Sequence, residues 1–238
     1  MVLARPVRLS VGAVARMLHL LRLGQPQIVI QPTATWDEPD ADSDADSAVW
    51  EEFVTAGLAD RPGRLVTEAM DALTVLGQAS IEYFGWLSTG SGQAGGVLAA
   101  ALGQHAVYVV RRRDRLRLAT IAATGLVETF VGSLPEASPA RTDAVSIRTD
   151  DLNGVDDRRD VAVVRALSAR PATGLGELYV AARDQRGRYR MSEEPVRYRD
   201  TAAGRVMVIV SGDHLSIAPG TDVVLTERLR QVYEELGG

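Results

Sequence analysis

Residues 176–208 read GELYVAARDQRGRYRMSEEPVRYRDTAAGRVMV, a stretch with seven arginines, five acids and three glycines. Its side chains alternate as in a β-strand, with Leu178 and Val180 on one face and Tyr179 on the other. Turn-forming residues interrupt the pattern, for example at 184–187. The stretch therefore predicts strands joined by turns, in which arginines at strand ends and on the outer face are balanced by nearby acids.

The end of this stretch leads into RVMVIV, residues 205–210, which is apolar on both faces of a strand. Such a strand has to be covered on both sides, by the protein's own helices on one side and by a second lobe or a partner protein on the other. We therefore predict partner contacts along this strand and in the neighbouring hairpin. The predicted contact residues are Val206, Met207, Val208, Ile209, Val210, Arg183 and Arg186.

Outside this region the sequence alternates between helical and strand periodicity. Apolar residues at helical spacing predict a helix behind a Ser10 cap and a closing helix behind a Thr221 cap. Further helices are predicted within residues 48–57, 64–77, 125–134 and 157–169. Strands are predicted at residues 27–31, 79–88, 105–121 (a hairpin) and near Val145.

A segment rich in Pro, Ser and Ala, residues 133–143, is the predicted boundary inside the chain. The hairpin HAVYVVRRRDRLRLATI (105–121) and the segment GELYVAARDQRGRYRMS (176–192) share a Tyr-Val strand and an Arg-Asp turn, which suggests internal duplication. We expect an α+β fold with a central, mostly antiparallel sheet and helices packed around it. Residues 1–238 then form one domain with two quasi-symmetric lobes, 1–134 and 144–238.

Composition excludes several classes of function. The 238 residues carry a net charge of −5, and all 26 basic residues are arginine, which excludes lysine Schiff bases and P-loop lysines. The lack of cysteine excludes disulfides and thiolate chemistry. Nucleic-acid binding through the arginines of 111–117 and 183–190 is an alternative, but the acidic balance and 5% aromatic content oppose it. Without a signal peptide or membrane span, we expect a cytoplasmic protein with no membrane insertion.

Two motifs suggest ligand chemistry. Gly90, Gly92 and Gly95 spell G-x-G-x-x-G after a predicted strand, which would suit a nucleotide-binding enzyme. The following segment allows only about two turns of helix, however, and the next strand turns into an antiparallel partner instead of crossing over. We therefore favour a glycine-rich loop, and we predict no enzyme activity and no cofactor.

The second motif is acidic. Asp40, Asp42, Asp44, Asp46 and Glu51 match the alternating ligand positions of a calcium loop. Position 6 of that loop is Ala45, where the sharp turn requires glycine. A solvated acidic loop spanning residues 32–47 is favoured, and no metal site is predicted.

The order of the pieces resembles one known family. It is carried by a helix after VRLSV, the pair Gly57-Leu58, the run G-x-x-x-V-A-A-R-D-Q-R-G-R…P-V-R-Y-R-D-T-A-A-G-R and the closing LTERLRQVYEEL. These features resemble the EspG family, the ESX secretion-associated proteins of the actinobacterial type VII system. The resemblance implies a cytosolic, non-enzymatic chaperone that binds the helical tip of a PPE protein within a PE-PPE heterodimer, keeps it soluble and delivers it to the secretion components. It also implies that the sheet surface and the C-terminal helical region contact the client.

Overall fold

The computed structural model describes residue 3 and residues 5–32, 42–90, 94–152, 158–184 and 186–237. Six helices lie within this part of the chain: α1 Val11–Leu20, α2 Asp42–Thr55, α3 Thr67–Gln78, α4 Leu126–Gly132, α5 Arg159–Ser168 and α6 Asp222–Glu235. The strands are β1 Val7–Ser10, β2 Ala59–Arg61, β3 Arg64–Leu65, β4 Ile81–Thr89, β5 Ala94–Leu102, β6 His105–Arg112, β7 Arg115–Ala122, β8 Val145–Arg148, β9 Ala172–Arg183, β10 Tyr189–Met191, β11 Val196–Thr201, β12 Gly204–Ser211 and β13 His214–Pro219.

Eleven of the described strands form one sheet in the order β1-β7-β6-β5-β4-β9-β11-β12-β13-β8, with β10 paired to the end of β9. All of its neighbouring strands run antiparallel. The strands β2 and β3 make a separate small hairpin. The predicted α+β fold with a central antiparallel sheet is confirmed.

The sheet contains two halves of the same plan, which meet where β4 pairs with β9. Each half begins with an edge strand, passes through one or more helices, and returns as four neighbouring strands of the sheet followed by a helix, α4 or α6; the second half adds the short β10. In this plan the hairpin β6–β7 corresponds to β12–β13. The predicted match of residues 105–121 with 176–192 is therefore wrong in register, and the division into lobes 1–134 and 144–238 stays a prediction.

The helices form two layers on opposite faces of the sheet. Helices α1, α2 and α3 cover the face of the first half that carries Phe84 and Val109. On the same face of the second half, α5 packs through Val161 and Val164. The opposite face, which carries Tyr83 and residues of β9, is covered by α4 and α6. Both predicted caps are present. The side chains of Ser10 and Thr221 each accept a hydrogen bond from a helix N–H at 3.1 Å.

A buried ion pair fixes the connection between the two halves. Arg205 donates two hydrogen bonds to the carboxylate of Asp200, at 2.7 and 2.9 Å, and a third to the carbonyl of Pro135 at 2.6 Å. Its guanidinium lies 4.2 Å from the ring centroid of the buried Tyr198. Burial lowers the pKa of Arg205, but the hydrogen bonds and charge of Asp200 outweigh this and hold that pKa above its ordinary value. The arginine therefore ties the 133–143 segment to β12.

Two predicted elements differ from the structure. Residues 28–30 form a short 3-10 turn, and not a strand, because the side chain of Gln27 accepts a hydrogen bond from the Val29 N–H at 2.6 Å and caps the turn. The acidic stretch is helical from Asp42 onward, where a loop was predicted. Residues 33–41 lie outside the described residues.

This helix removes the geometry that the calcium motif needs, because residues two apart on a helix point to different sides. Asp46 instead accepts a hydrogen bond from Arg16 at 2.7 Å. Asp40 lies outside the described residues. Among the residues described, no group of three His, Asp or Glu side chains could hold a metal ion. No described helix combines the length and apolarity of a membrane span.

Candidate protein-binding surface

The middle of the sheet is open on the side that carries α1–α3 and α5. There β4, β9 and β11 lie between the two groups of helices, and part of each strand carries exposed or half-buried side chains on this side. We call this surface the open face. It is formed by Trp86, Leu175, Glu177, Tyr179, Arg197 and Arg199.

The register of the strands brings these residues together. Trp86 of β4 lies opposite Glu177 of β9, which in turn lies opposite Arg197 of β11. One step along, Leu175 lies opposite Arg199. Three strands spaced about 4.8 Å apart make a floor about 10 Å wide, which matches the diameter of an α-helix.

Exposed apolar side chains concentrate at this surface. Of eight large hydrophobic residues that are exposed in the described chain, five lie on the open face or at its border. They are Ile28 (51% exposed), Trp86 (37%), Leu175 (44%), Tyr189 (43%) and Met191 (47%). Clustered exposed apolar residues of this kind mark protein-binding surfaces.

One border of the open face is held in place by Arg111. Its Nη1 donates hydrogen bonds to the carbonyls of Val29 and Gln31, at 2.9 and 2.6 Å, which fixes the 3-10 turn against the sheet. The guanidinium lies 5.8 Å from the ring centroid of Trp86, in cation–π range. Arg111 therefore positions both Ile28 and Trp86 at the surface.

A cleft of about 630 Å³ continues the open face between the 3-10 turn and β10, and Ile28 and Met191 line it. At its base the hydroxyl of Tyr189 donates a hydrogen bond to Glu82 at 2.8 Å, and Arg183 lies 5.0 Å from the Tyr189 ring centroid. Burial raises the pKa of Glu82, and the hydrogen bond from Tyr189 and the charge of Arg183 only partly offset this effect. Desolvation together with the charge of Glu82 raises the pKa of Tyr189.

The other border of the open face is polar. Arg197 donates to Glu177 at 3.1 Å, and Arg199 donates to the carbonyl of Arg170 at 2.7 Å, just beyond the C-terminus of α5. The surface thus has an apolar side at Trp86 and a charged side at Arg197 and Arg199. This arrangement suits protein binding through a buried apolar centre with a polar rim.

The structure places the predicted contact residues in different environments. Val206 is buried beneath α5, and Met207 is buried on the opposite face against the cluster of α4 and α6. Val208, Ile209 and Val210 are half-buried. At Val206 and Met207 the strand β12 is therefore covered by the chain's own helices on both faces, whereas Val208, Ile209 and Val210 keep part of their surface exposed.

The two predicted arginines lie closer to the open face. Arg183 lines the cleft beside Tyr189, whereas Arg186 is exposed at the following turn, where its backbone N–H donates to Asp184 at 2.9 Å. The partner-binding role of these residues and of the β12 residues stays a prediction.

The glycine-rich motif lies in a β-hairpin. Gly90 follows β4, Gly95 lies within β5, and Gly92 is outside the described residues. The segment after the motif is a strand antiparallel to β4, so it offers no helix N-terminus to a pyrophosphate. The alternative of a nucleotide-binding enzyme required a helix after Gly95, and the structure has the strand β5 there instead.

Sequence reasoning missed most of the open face. Trp86, Tyr189 and Met191 lie on strands that periodicity identified, and Leu175 lies one residue before such a stretch, yet their exposure depends on which strands become neighbours. One signal was available: Leu175, Glu177 and Tyr179 alternate on one side of a strand whose other side is apolar. Ile28 gave no such signal, because its segment was predicted as a strand.

Comparisons with known proteins agree with this architecture. The model of the EspG family matches residues 10–231. A solved structure of the Mycobacterium tuberculosis type VII secretion system chaperone EspG5, in complex with a PE25-PPE41 dimer, superimposes with a TM-score of 0.72. The match covers 98% of this chain and 97% of that one, at 17% sequence identity. A sequence search of curated proteins finds no match.

Proposed function

Because this chain belongs to the EspG family, we propose that it is a cytosolic, non-catalytic chaperone of a type VII (ESX) secretion system. Its client is the helical tip of a PPE-like protein within a PE-PPE heterodimer, which it keeps soluble and directs to the secretion components. Family membership carries this proposal. The solved EspG5 complex with a PE25-PPE41 dimer supports it, since that chaperone shares the fold over nearly its whole length.

We propose further that the open face is the client site. A helical tip that is exposed before export presents apolar side chains, which would drive aggregation in water. The floor of the open face is about as wide as one helix, and Trp86, Leu175 and Met191 offer apolar area to bury. Residues 1–134 and 144–238 act as two lobes of one domain on either side of this site.

The proposal is tested by measuring complex formation with a PE-PPE pair from the same genome, co-expressed with the chain and then titrated by calorimetry. Trp86→Asp and Leu175→Asp should each weaken binding at least tenfold, because central apolar residues dominate interface energies. Val54→Asp is the matched control, since Val54 is as exposed as Trp86 but lies on α2, which packs against α1 and β2. It should bind like wild type.

The two parts of the proposal fail in different ways. If the wild-type chain retains no PE-PPE pair, the chaperone function is wrong. If wild type binds but neither Trp86→Asp nor Leu175→Asp weakens the complex, the function stands and the client site lies elsewhere.

A further inference from the structure

A second cleft, of about 720 Å³, lies on the opposite face of the sheet, beside the segment that follows α4. We call it the basic cleft. Its floor consists of Leu87, Val97, Tyr108 and Val110, and Arg8 and Arg117 stand at its edge. The floor residues other than Val97 are half-buried, and both arginines are exposed.

The strand register places these residues in one row across the sheet. Val97 lies opposite Val110, Val110 opposite Arg117, and Arg117 opposite Arg8. Like charges directly opposite each other on neighbouring strands destabilise a sheet. The pair Arg8–Arg117 therefore repels across the two strands, and an anion between the two guanidinium groups would relieve that repulsion.

Neither arginine is neutralised within the described chain. Arg8 and Arg117 form no ion pair and no side-chain hydrogen bond with a described residue. Arginines elsewhere on the surface do find acids: Arg197 pairs with Glu177, and Arg115, further along the rim of the cleft, pairs with Glu52 at 3.3 Å. The described lining of the basic cleft contains no Asp or Glu, although the chain as a whole carries a net charge of −5.

We propose that the basic cleft binds an acidic, partly apolar segment of another protein. A carboxylate lies between Arg8 and Arg117 and accepts hydrogen bonds from both, while neighbouring aliphatic side chains cover Val110, Leu87 and Tyr108. An apolar floor with one half-buried tyrosine offers no series of stacking platforms, which favours protein over a nucleic-acid strand. Because the basic cleft and the open face lie on opposite faces of the sheet, both can be occupied at once.

The probe is a fluorescein-labelled 14-residue peptide with four glutamates and two leucines, and binding is measured by fluorescence anisotropy. Arg8→Ser/Arg117→Ser should weaken binding at least tenfold. The control Arg61→Ser/Arg64→Ser removes the same two charges from the separate β2–β3 hairpin and should bind like wild type. Raising NaCl from about 50 to 300 mM should weaken wild-type binding, because the contacts are charged and exposed.

Two further probes test the chemistry. A peptide with glutamine in place of glutamate should bind more weakly because it lacks the negative charges. A peptide with serine in place of leucine should also bind more weakly, because it loses apolar contacts with the floor of the basic cleft. The proposal is overturned if the acidic peptide does not bind the wild-type chain, or if Arg8→Ser/Arg117→Ser and Arg61→Ser/Arg64→Ser bind the peptide with equal affinity. It is also overturned if a 15-nucleotide single strand binds more tightly than the peptide. Thermal melting of Arg8→Ser/Arg117→Ser checks folding. A chain that melts well below wild type is replaced by the two single variants, each of which should then weaken binding.

Discussion

Replacing Arg205 by methionine should destabilise the protein more than any surface change, because it leaves the Asp200 carboxylate buried without its cation. Arg205 is 2% exposed and Asp200 is 7% exposed, so water reaches neither group freely. Removing one partner of such a buried pair costs about 3 to 5 kcal/mol. The Pro135 carbonyl loses its hydrogen bond in the same step, which adds about 1 kcal/mol. We expect a loss of about 4 to 6 kcal/mol in the free energy of unfolding.

The assay is urea unfolding followed by circular dichroism, with thermal melting as a second readout. For a chain of this size about 1 kcal/mol corresponds to a shift of roughly 2 to 4 °C, so the melting temperature should fall by about 8 °C or more. The double variant Arg205→Met/Asp200→Asn should be more stable than Arg205→Met alone, because it removes the unpaired charge. A single variant within about 1 kcal/mol of wild type, or a double variant no better than the single one, would refute this reasoning.

Two further outcomes follow from the structure. Glu82→Gln should raise stability at pH 7.5 relative to wild type but leave it unchanged near pH 4. Because the pKa of Glu82 is raised in the folded chain, wild type loses stability as pH rises from the ordinary value of 4.5 through the folded-state pKa. The loss is about 1.4 kcal/mol for each pH unit of the shift. Urea titrations measure the difference in unfolding free energy between variant and wild type, and an equal difference at both pH values would contradict the prediction. Gly176→Ala should cost about 1 to 3 kcal/mol, because its Cβ would overlap Cε1 of the buried Tyr198 ring. Its control, Gly12→Ala in α1, has open space around the new methyl group and should be neutral or stabilising by up to about 1 kcal/mol in the same unfolding assay.

Local periodicity predicted most of the elements, because each helix and strand shows its own pattern and its own cap or turn. Ser10 and Thr221 cap helices as their side chains predict. The 3-10 turn at Ile28–Ile30 was not predicted, because its apolar residues also suit a strand and its cap depends on the Gln27 side chain. The helical start of α2 was also missed, since Asp and Ser favour loops as well as the first turn of a helix.

The site was less accessible to prediction than the fold, because it depends on contacts between residues far apart in sequence. The apolar residues Val206 and Met207 predict a strand that is buried on both faces, and it is, but the helices that bury them belong to this chain. The exposure of Trp86 is decided by the neighbouring β9 and by Arg111. The Gly176 to Arg205 region, which carries the family resemblance most strongly, builds a structural cluster in which Tyr198 lies over Gly176 and beneath Arg205.

The antiparallel β4–β9 seam also bears on how such a chain could have arisen. Two identical half-length chains, paired antiparallel through this strand, would build the same sheet as a symmetric homodimer, since antiparallel pairing is compatible with a twofold axis. A surface on that axis would accept a ligand equally well in two opposite orientations. In this chain the two halves differ: α2 and the β2–β3 hairpin occur in the described part of the first half only, and Trp86 faces Arg197 and Arg199 across the seam. A single chain with two unlike halves therefore presents a surface that distinguishes the two ends of whatever it binds.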